Sequence, residues 1–454
     1  MRVTVLGLGY VGAVAAAALA HDGHDVLGVD IDRGKVERFR RGEVPFHEPG
    51  LDELVREGVS RGILRFAETG DVGPGDLGEL VFVAVGTPSQ PSGAADLSQV
   101  EAAMEWLTGL VQGANGMWGD AGDRPVVVMK STVPPGTGRR LQERYLAAHG
   151  IAYVSNPEFL REGSAVHDWF HPDRVVIGSE SEEAAARVRA LYEGYGAPIV
   201  VTHTTTAEMI KYGANAFLAT KISFINELAN MCDRVGADVE VVARGIGLDP
   251  RIGPDFLRAG LGYGGSCFPK DVRALDHLAL VYDYPFELLR AVIAVNSRQR
   301  LLPLFALRRE FGSLAGVPVA VLGLSFKPNT DDIREAPALD LIPLLLQEGA
   351  EVRAADPRAA VRARAVLPGA VRVTDSALEA VQGARALVLC TEWEEFRRLD
   401  WEDVAACMDE PRFVFDGRNA LDRERLEALG FRYQGVGRGR PVGARLGVPA
   451  AAKP

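Results

Sequence analysis

At 454 residues the chain is too long for one hydrophobic core and, at roughly 100–200 residues per domain, calls for two or three. Its 50 Lys and Arg against 61 Asp and Glu leave a net charge of −11, which argues against nucleic acid or an anionic membrane as partner but not against an anionic small ligand. No apolar run reaches the roughly 18–20 residues of a membrane span, the N-terminus reads as a strand rather than a signal peptide, and four scattered cysteines without zinc spacing fit a reduced, cytosolic protein with no metal site.

The first element is an apolar strand over residues 2–8, closed by Gly7, Gly9 and Gly12 in the spacing G-x-G-x-x-G. A small-residue helix follows, then a second strand, DVLGVDID, that ends at Asp30. Strand, glycine turn, helix, strand and terminal acid within about 30 residues form a dinucleotide-binding pattern. Gly7 serves the tight turn, Gly9 a close approach to pyrophosphate, and Gly12 the packing of helix on strand. The helix N-terminus then faces the phosphates. Asp30 suits a ribose with free 2′- and 3′-hydroxyls and repels a 2′-phosphate, which selects NAD over NADP. Lys35 reaches an adenosine ribose or phosphate, or is a solvated surface lysine.

Apolar strands follow at residues 80–88 and 125–137, with small and polar residues at their ends. Such ends open onto the ligand crevice of a parallel sheet. Residues 112–124 read as a Gly-rich loop. Residues 152–178 read as a strand, a polar loop and another strand. Over residues 206–234 the pattern is helical, longer than the usual ~11–12 residues, so it bridges domains or lines a subunit interface. Lys211 and Asn215, four apart, share a face of it.

Residues 260–271 read GLGYGGSCFPKD. Four glycines before Cys267 allow a loop that closes over a ligand or presents amides to it. A cysteine opening a helix beside Lys270 has the setting that lowers a thiol pKa. Cys232, Cys390 and Cys407 read as packing residues. A nucleophilic thiol next to a nicotinamide site traps an aldehyde as a thiohemiacetal, whose oxidation yields a thioester and, after hydrolysis, a carboxylate. Residues 319–357 then partly repeat residues 3–30, with Ser325, Phe326, Lys327 and Pro328 in place of the glycine fingerprint. Strands at residues 386–393 and 413–419 extend this second sheet. The fold class is therefore α/β, two Rossmann-like doubly wound domains joined by a long central helix. The domains are residues 1–200 for NAD, 201–305 as a central helical segment that links domains or lines a subunit interface and carries the cysteine loop, and 306–440 as a second Rossmann-like domain for a different anionic ligand, before a loose tail at 441–454.

The chain resembles the UDP-glucose 6-dehydrogenases within the UDP-glucose/GDP-mannose dehydrogenase family. The likeness runs to about residue 440 through GLGYVG, VGTPS, KSTVPPGT, SNPEFLREGSAVHD, AEMIKYGANAFLATKISFINELA, RIG, GYGGSCFPKD, GLSFKPNTDDIREAP and DGRN. The resemblance implies an NAD-dependent, four-electron oxidation of the C6 hydroxyl of UDP-glucose, or the same chemistry on GDP-mannose or a UDP-N-acetyl-hexosamine. It implies Cys267 as nucleophile, and Lys211 and Asn215 as stabilisers of the oxyanion. Asp271 and Glu158 would handle protons, and Thr132 would position the hydrolytic water. It assigns Gly7, Gly9, Tyr10, Val11, Gly12, Asp30, Lys35, Gly86, Thr87, Thr132, Glu162, Lys270 and Arg334 to NAD. Glu158, Phe159, Leu160, Arg161, Glu162, Lys211, Asn215, Phe256, Tyr263, Gly264, Phe326, Lys327 and Arg418 go to the nucleotide sugar. Arg251 reaches the substrate of the neighbouring subunit in a cytoplasmic homodimer. Glu158 and Asp271 have a plainer reading as cap or first-turn acids.

Overall fold

The computed structural model describes residues 1–114 and 124–439. Most of the expected Gly-rich loop and the expected tail at 441–454 lie outside the described residues; Gln112 and Gly113 close the helix Ser98–Gly113. The chain forms two compact units. One is Met1–Asn215 with Arg273–Pro285, and the other is Ala216–Val272 with Phe286 to the C-terminus.

The first unit is built on eight strands: β1 (Arg2–Leu6), β2 (Asp25–Asp30), β3 (Leu64–Glu68), β4 (Leu80–Val83), β5 (Val126–Met129), β6 (Ala152–Ser155), β7 (Val175–Gly178) and β8 (Ile199–Thr202). Their order is β3-β2-β1-β4-β5-β6-β7-β8. All neighbours are parallel except β6 and β7, which meet antiparallel at Ser155 and Gly178. Alternate residues go to opposite faces: Val3, Val5, Leu80, Phe82, Val126 and Val128 enter one core, and Leu6, Val81, Val83, Val127 and Met129 the other. A sheet covered on both faces needs the uninterrupted apolar strands that the sequence supplies.

The second unit repeats the plan with β9 (Pro318–Leu322), β10 (Glu351–Ala355), β11 (Arg372–Thr374), β12 (Ala386–Leu389), β13 (Phe413–Asp416) and β14 (Arg432–Gly435). These run wholly parallel in the order β11-β10-β9-β12-β13-β14. The internal repeat extends to single hydrogen bonds. Gly7 (φ 89°) donates to Val29 O at 2.8 Å, and Gly323 (φ 93°) to Ala355 O at 2.8 Å. Leu8 N donates to Asp30 Oδ2, and Leu324 N to Asp356 Oδ2, both at 2.8 Å.

The long helix spans Thr204–Val235, and the boundary between the units falls within it, after Asn215. Its distal half contributes Ile225, Ala229 and Cys232 to the second unit's core. Three expectations need correction. The strands predicted at 80–88, 125–137, 386–393 and 413–419 stop after four residues each, because their polar ends turn into crevice loops; Lys130 N and Ser131 N, for example, both donate to Val83 O. The polar loop between β6 and β7 contains a helix, Ala165–Phe170, whose entry is held by buried Glu48 accepting from Gly163 N (2.6 Å) and Ala165 N (2.7 Å). The predicted helix over 206–234 is longer by two residues at its start and one at its end. No described helix is long and apolar enough to cross a membrane.

Candidate active site

In the first unit the chain switches direction between the neighbouring strands β1 and β4, and ligands bind at that point in open α/β sheets. The glycine turn closes β1 there. A side chain at Gly12 would overlap the carbonyl oxygen of Gly7, so the helix Tyr10–His21 packs directly on the turn. At Gly9, the residue before that helix, a Cβ would meet no protein atom within 4 Å. The space is left for a ligand, and the helix start has no capping side chain. That open cradle fits a pyrophosphate. Tyr10 lies tilted against Phe46, with ring centroids 4.1 Å apart and ring planes at 37°. Asp30 closes β2, where Leu8 N (2.8 Å), Asp32 N (2.9 Å) and Lys35 Nζ (2.8 Å) all donate to it. Burial pushes its pKa up, but these bonds outweigh it and the carboxyl is held below its ordinary value. Lys35 is thus the partner of Asp30. Gly86 N donates to Gln99 Oε1 (3.1 Å), and Thr87 Oγ1 to the carbonyl of Thr132 (3.0 Å), which joins the loops after β4 and β5.

In the same unit the segment SNPEFLRE meets the long helix through Glu158. Glu158 is buried outside any helix. Its Oε2 accepts from Leu160 N (2.5 Å) and its Oε1 from Lys211 Nζ (3.1 Å). Lys211 and Asn215 are both buried, and Lys211 Nζ also lies 5.1 Å from the centre of the Phe159 ring. Arg174 covers that ring at 3.6 Å. Arg161 makes a bidentate pair with Asp168, whose carboxyl stays below its ordinary value although burial pushes it up. Glu162 is half-buried in the same loop.

The motifs do not single out Lys130, yet it is fully enclosed beside this group. Its Nζ donates to Asn156 Oδ1 (3.0 Å) and Tyr192 Oη (3.1 Å) and faces the rings of Trp169 and Tyr192. Burial lowers its pKa to about 7, with Lys211 adding to the shift and Glu158 opposing it. A lysine closing an apolar strand is the signal that marks it in the sequence.

The second unit carries the cysteine loop. Cys267 O accepts from Asp271 N (2.9 Å) at the start of the helix Phe268–Val281, so the thiol stands at a helix N-terminus. Ser266 Oγ lies 3.6 Å from Cys267 Sγ. Asp271 is a buried first-turn acid paired with Lys270 Nζ at 2.5 Å. The loop's glycines admit protein neighbours: a Cβ at Gly262 would overlap Asn296 Oδ1, and one at Gly264 the carbonyl of Glu335. Asn296 clamps Tyr263 by accepting from its N–H (2.8 Å) and donating to its carbonyl (3.1 Å), while Asn226 Oδ1 accepts from Gly260 N (2.9 Å) and Arg300 Nη2 donates to Tyr263 O (2.9 Å). These contacts pin the loop. Phe256, in the left-handed region at φ 63°, and Tyr263 both place their rings 6.1 Å from Phe268. Two of the other cysteines hold little thiolate, since burial raises the pKa of Cys232, in the long helix, and pushes that of Cys390, just after β12, up to about 12.

Sheet two switches direction between β9 and β12. Arg418, just after β13, ties three loops there: it donates to the carbonyls of Cys390 (2.6 Å), Phe326 (3.2 Å) and Gly262 (3.4 Å). Lys327 Nζ lies 5.3 Å from the Phe326 ring centre. Arg334 is wrapped on buried Asp332 (2.7–3.0 Å), and exposed Arg251 on Asp249 (2.6–3.2 Å). Lys211 and Asn215 thus belong to one unit, and Cys267, Asp271 and Arg418 to the other.

Family models match along the chain in the order of these features. The NAD binding domain of the UDP-glucose/GDP-mannose dehydrogenase family matches residues 1–195, its central domain residues 205–298, and its UDP binding domain residues 320–423. The chain is 47% identical over 460 residues to a UDP-glucose 6-dehydrogenase of Pseudomonas aeruginosa, covering 97% of this chain and 98% of the relative. It is 44% identical over 443 residues to the UDP-glucose 6-dehydrogenase TuaD of Bacillus subtilis, covering 96% and 93%. A solved structure of a UDP-glucose dehydrogenase from Pyrobaculum islandicum superposes with a TM-score of 0.87 at 39% identity, covering 96% of this chain and 97% of that one. The glycine turn with its open cradle, the buried acid at Asp30 and these full-length likenesses converge on one assignment: the chain belongs to the UDP-glucose/GDP-mannose dehydrogenase family and is an NAD-dependent dehydrogenase.

Proposed function

We propose that the chain oxidises the C6 hydroxyl of UDP-glucose to the carboxylate of UDP-glucuronate in two successive steps, with Cys267 as the covalent nucleophile. The observation that carries the reading is a thiol at a helix N-terminus on a pinned loop, in a chain that also holds a dinucleotide turn. Bound NAD would supply the hydride acceptor for each oxidation. Gly7, Gly9, Tyr10, Val11 and Gly12 would hold its pyrophosphate. Asp30, with Lys35, would take its ribose, and Gly86, Thr87, Thr132, Glu162, Lys270 and Arg334 would complete the site.

In the first stage the hydroxyl gives up its proton and the carbon its hydride, leaving an aldehyde. The Cys267 sulfur then bonds to that carbon as the C=O π bond opens and the oxygen takes up the proton the thiol gives up, forming a thiohemiacetal. Loss of a second hydride and the hydroxyl proton leaves a thioester. Water attacks, the C–O bond forms, the C–S bond breaks, and thiol and carboxylate are released. Lys211 and Asn215 stabilise the oxyanion, Lys211 by charge and Asn215 by hydrogen bonds. Glu158, in contact with Lys211, and Asp271, beside the thiol's loop, move the protons. Thr132 positions the attacking water. Phe159, Leu160, Arg161 and Glu162 contact the nucleotide sugar, Phe256, Tyr263, Gly264 and Phe326 wall its pocket, and Lys327 and Arg418 hold the pyrophosphate.

The reading includes three domains (residues 1–200, 201–305 and 306–440), a cytoplasmic location and a homodimer in which Arg251 serves the partner subunit's site. Supporting the dimer, Phe217, Phe224, Met231 and Val235 are more than half exposed, and the first three repeat every seven residues on the long helix.

The test is turnover of a nucleotide-sugar panel of UDP-glucose, GDP-mannose and UDP-N-acetyl-hexosamines, followed by NADH absorbance. Two NADH per UDP-glucose, abolished in Cys267→Ser, is the expected result. One NADH per substrate irrespective of Cys267 refutes the mechanism, and preference for another sugar nucleotide refutes the substrate.

A further inference from the structure

Glu208 has no part in the roles above. It lies one helical turn before Lys211 on the long helix and is only 2% exposed. A buried carboxylate needs donors, and Glu208 finds them 70 residues away in the chain. Its Oε2 accepts from Gly136 N at 2.6 Å and its Oε1 from Gly138 N at 2.7 Å. Gly136 caps, and Gly138 lies in the first turn of, the helix Thr137–Leu141 that follows the loop of Thr132. The fit is close, since a Cβ at Gly138 would overlap the Tyr153 ring and sit 2.8 Å from Glu208 Oε1. Thr132 in turn holds Thr87 through its carbonyl. One carboxylate thus fastens the loop of Thr132 to the helix that carries Lys211 and Asn215.

We infer that Glu208 is a positioning residue for the hydrolytic half of the reaction, fixing Thr132 against the helix so that water is held in line with the acyl carbon. The inference rests on the two-step thioester chemistry proposed above. In that half-reaction the water oxygen bonds to the acyl carbon, one of its protons passes to a base, and the C–S electron pair returns to Cys267. No hydride moves. A misplaced Thr132 therefore slows hydrolysis and leaves both oxidations intact. Displacement of a positioning contact by about 1 Å costs on the order of a hundredfold in rate.

The discriminating variant is Glu208→Gln, which keeps the volume but turns one acceptor oxygen into an NH2 group facing a backbone N–H. With UDP-glucose and NAD, stopped-flow absorbance should show a burst of two NADH per active site, then a steady state on the order of a hundredfold below wild type. Intact-mass spectrometry should find an acyl adduct that is absent from Cys267→Ser. Gly138→Ala, which pushes the loop off the carboxylate from the other side, should give the same burst and adduct. Loss of burst rate and steady state together, with no adduct, overturns the inference, as does wild-type turnover in either variant. Wild-type enzyme that makes one NADH per substrate instead overturns the two-step reading and this inference with it.

Discussion

Replacing Lys130 with Met should change how the protein's stability depends on pH. Nζ lies in a closed space made by Asn156, Tyr192 and Trp169, and burial lowers its pKa from 10.5 to about 7. In the unfolded chain the amine keeps its ordinary value. Between pH 7 and 10.5 the unfolded state therefore binds the extra proton, and stability rises with pH. Below about 7 both states are charged and the slope disappears. Each pKa unit is worth about 1.4 kcal/mol, so moving from pH 7.5 to 9 should stabilise the wild type by about 2 kcal/mol relative to Lys130→Met. Methionine fills a similar volume, and Asn156 Oδ1 keeps the Tyr192 hydroxyl (2.6 Å) as a donor. Glu208, raised to about 7 by burial, titrates in both proteins and cancels from the difference. Urea unfolding of the two proteins at pH 6, 7.5 and 9 is the assay. Parallel stability curves across that range would refute the burial argument.

Two further outcomes follow from local geometry. Gly9→Ala should fold with an unchanged melting temperature yet lose most NADH affinity, because its methyl enters only ligand space, whereas Gly12→Ala should also lower the melting temperature, at a cost of about 1–3 kcal/mol or more, because its methyl meets the Gly7 carbonyl. Fluorescence titration of NADH beside a thermal melt separates the two, and equal melts would be the contrary result. Phe224→Glu puts a charge into the exposed stripe of the long helix and should convert the proposed dimer to monomer in light scattering; an unchanged mass would move the interface elsewhere.

Much of this was legible along the chain because it is written in short-range demands. The glycine turn needs Gly7 and Gly12 for backbone reasons that hold wherever a strand enters a helix so tightly. The matching Gly323 turn could likewise be read from its spacing, even with the fingerprint replaced. The short helix Ala165–Phe170 was hidden because Glu48, more than a hundred residues earlier, completes its entry. The glycines of the cysteine loop were visible, but not their purpose. Asn296 and the carbonyl of Glu335 fill the places that side chains would take at Gly262 and Gly264, Asn226 and Arg300 hold the loop's backbone, and no local pattern links those residues.

The sequence by itself determined the doubly wound plan, the dinucleotide turn and the terminal Asp30. Each of these follows from residues within about one supersecondary unit, where covalent proximity decides who meets whom. Tertiary structure alone decided that Glu158 faces Lys211, that Lys130 sits enclosed, and that Glu208 holds the loop of Thr132. Those are matters of burial and of partners distant in the chain, and a charge acquires its partner, its protonation state and its task only when the fold has removed its water.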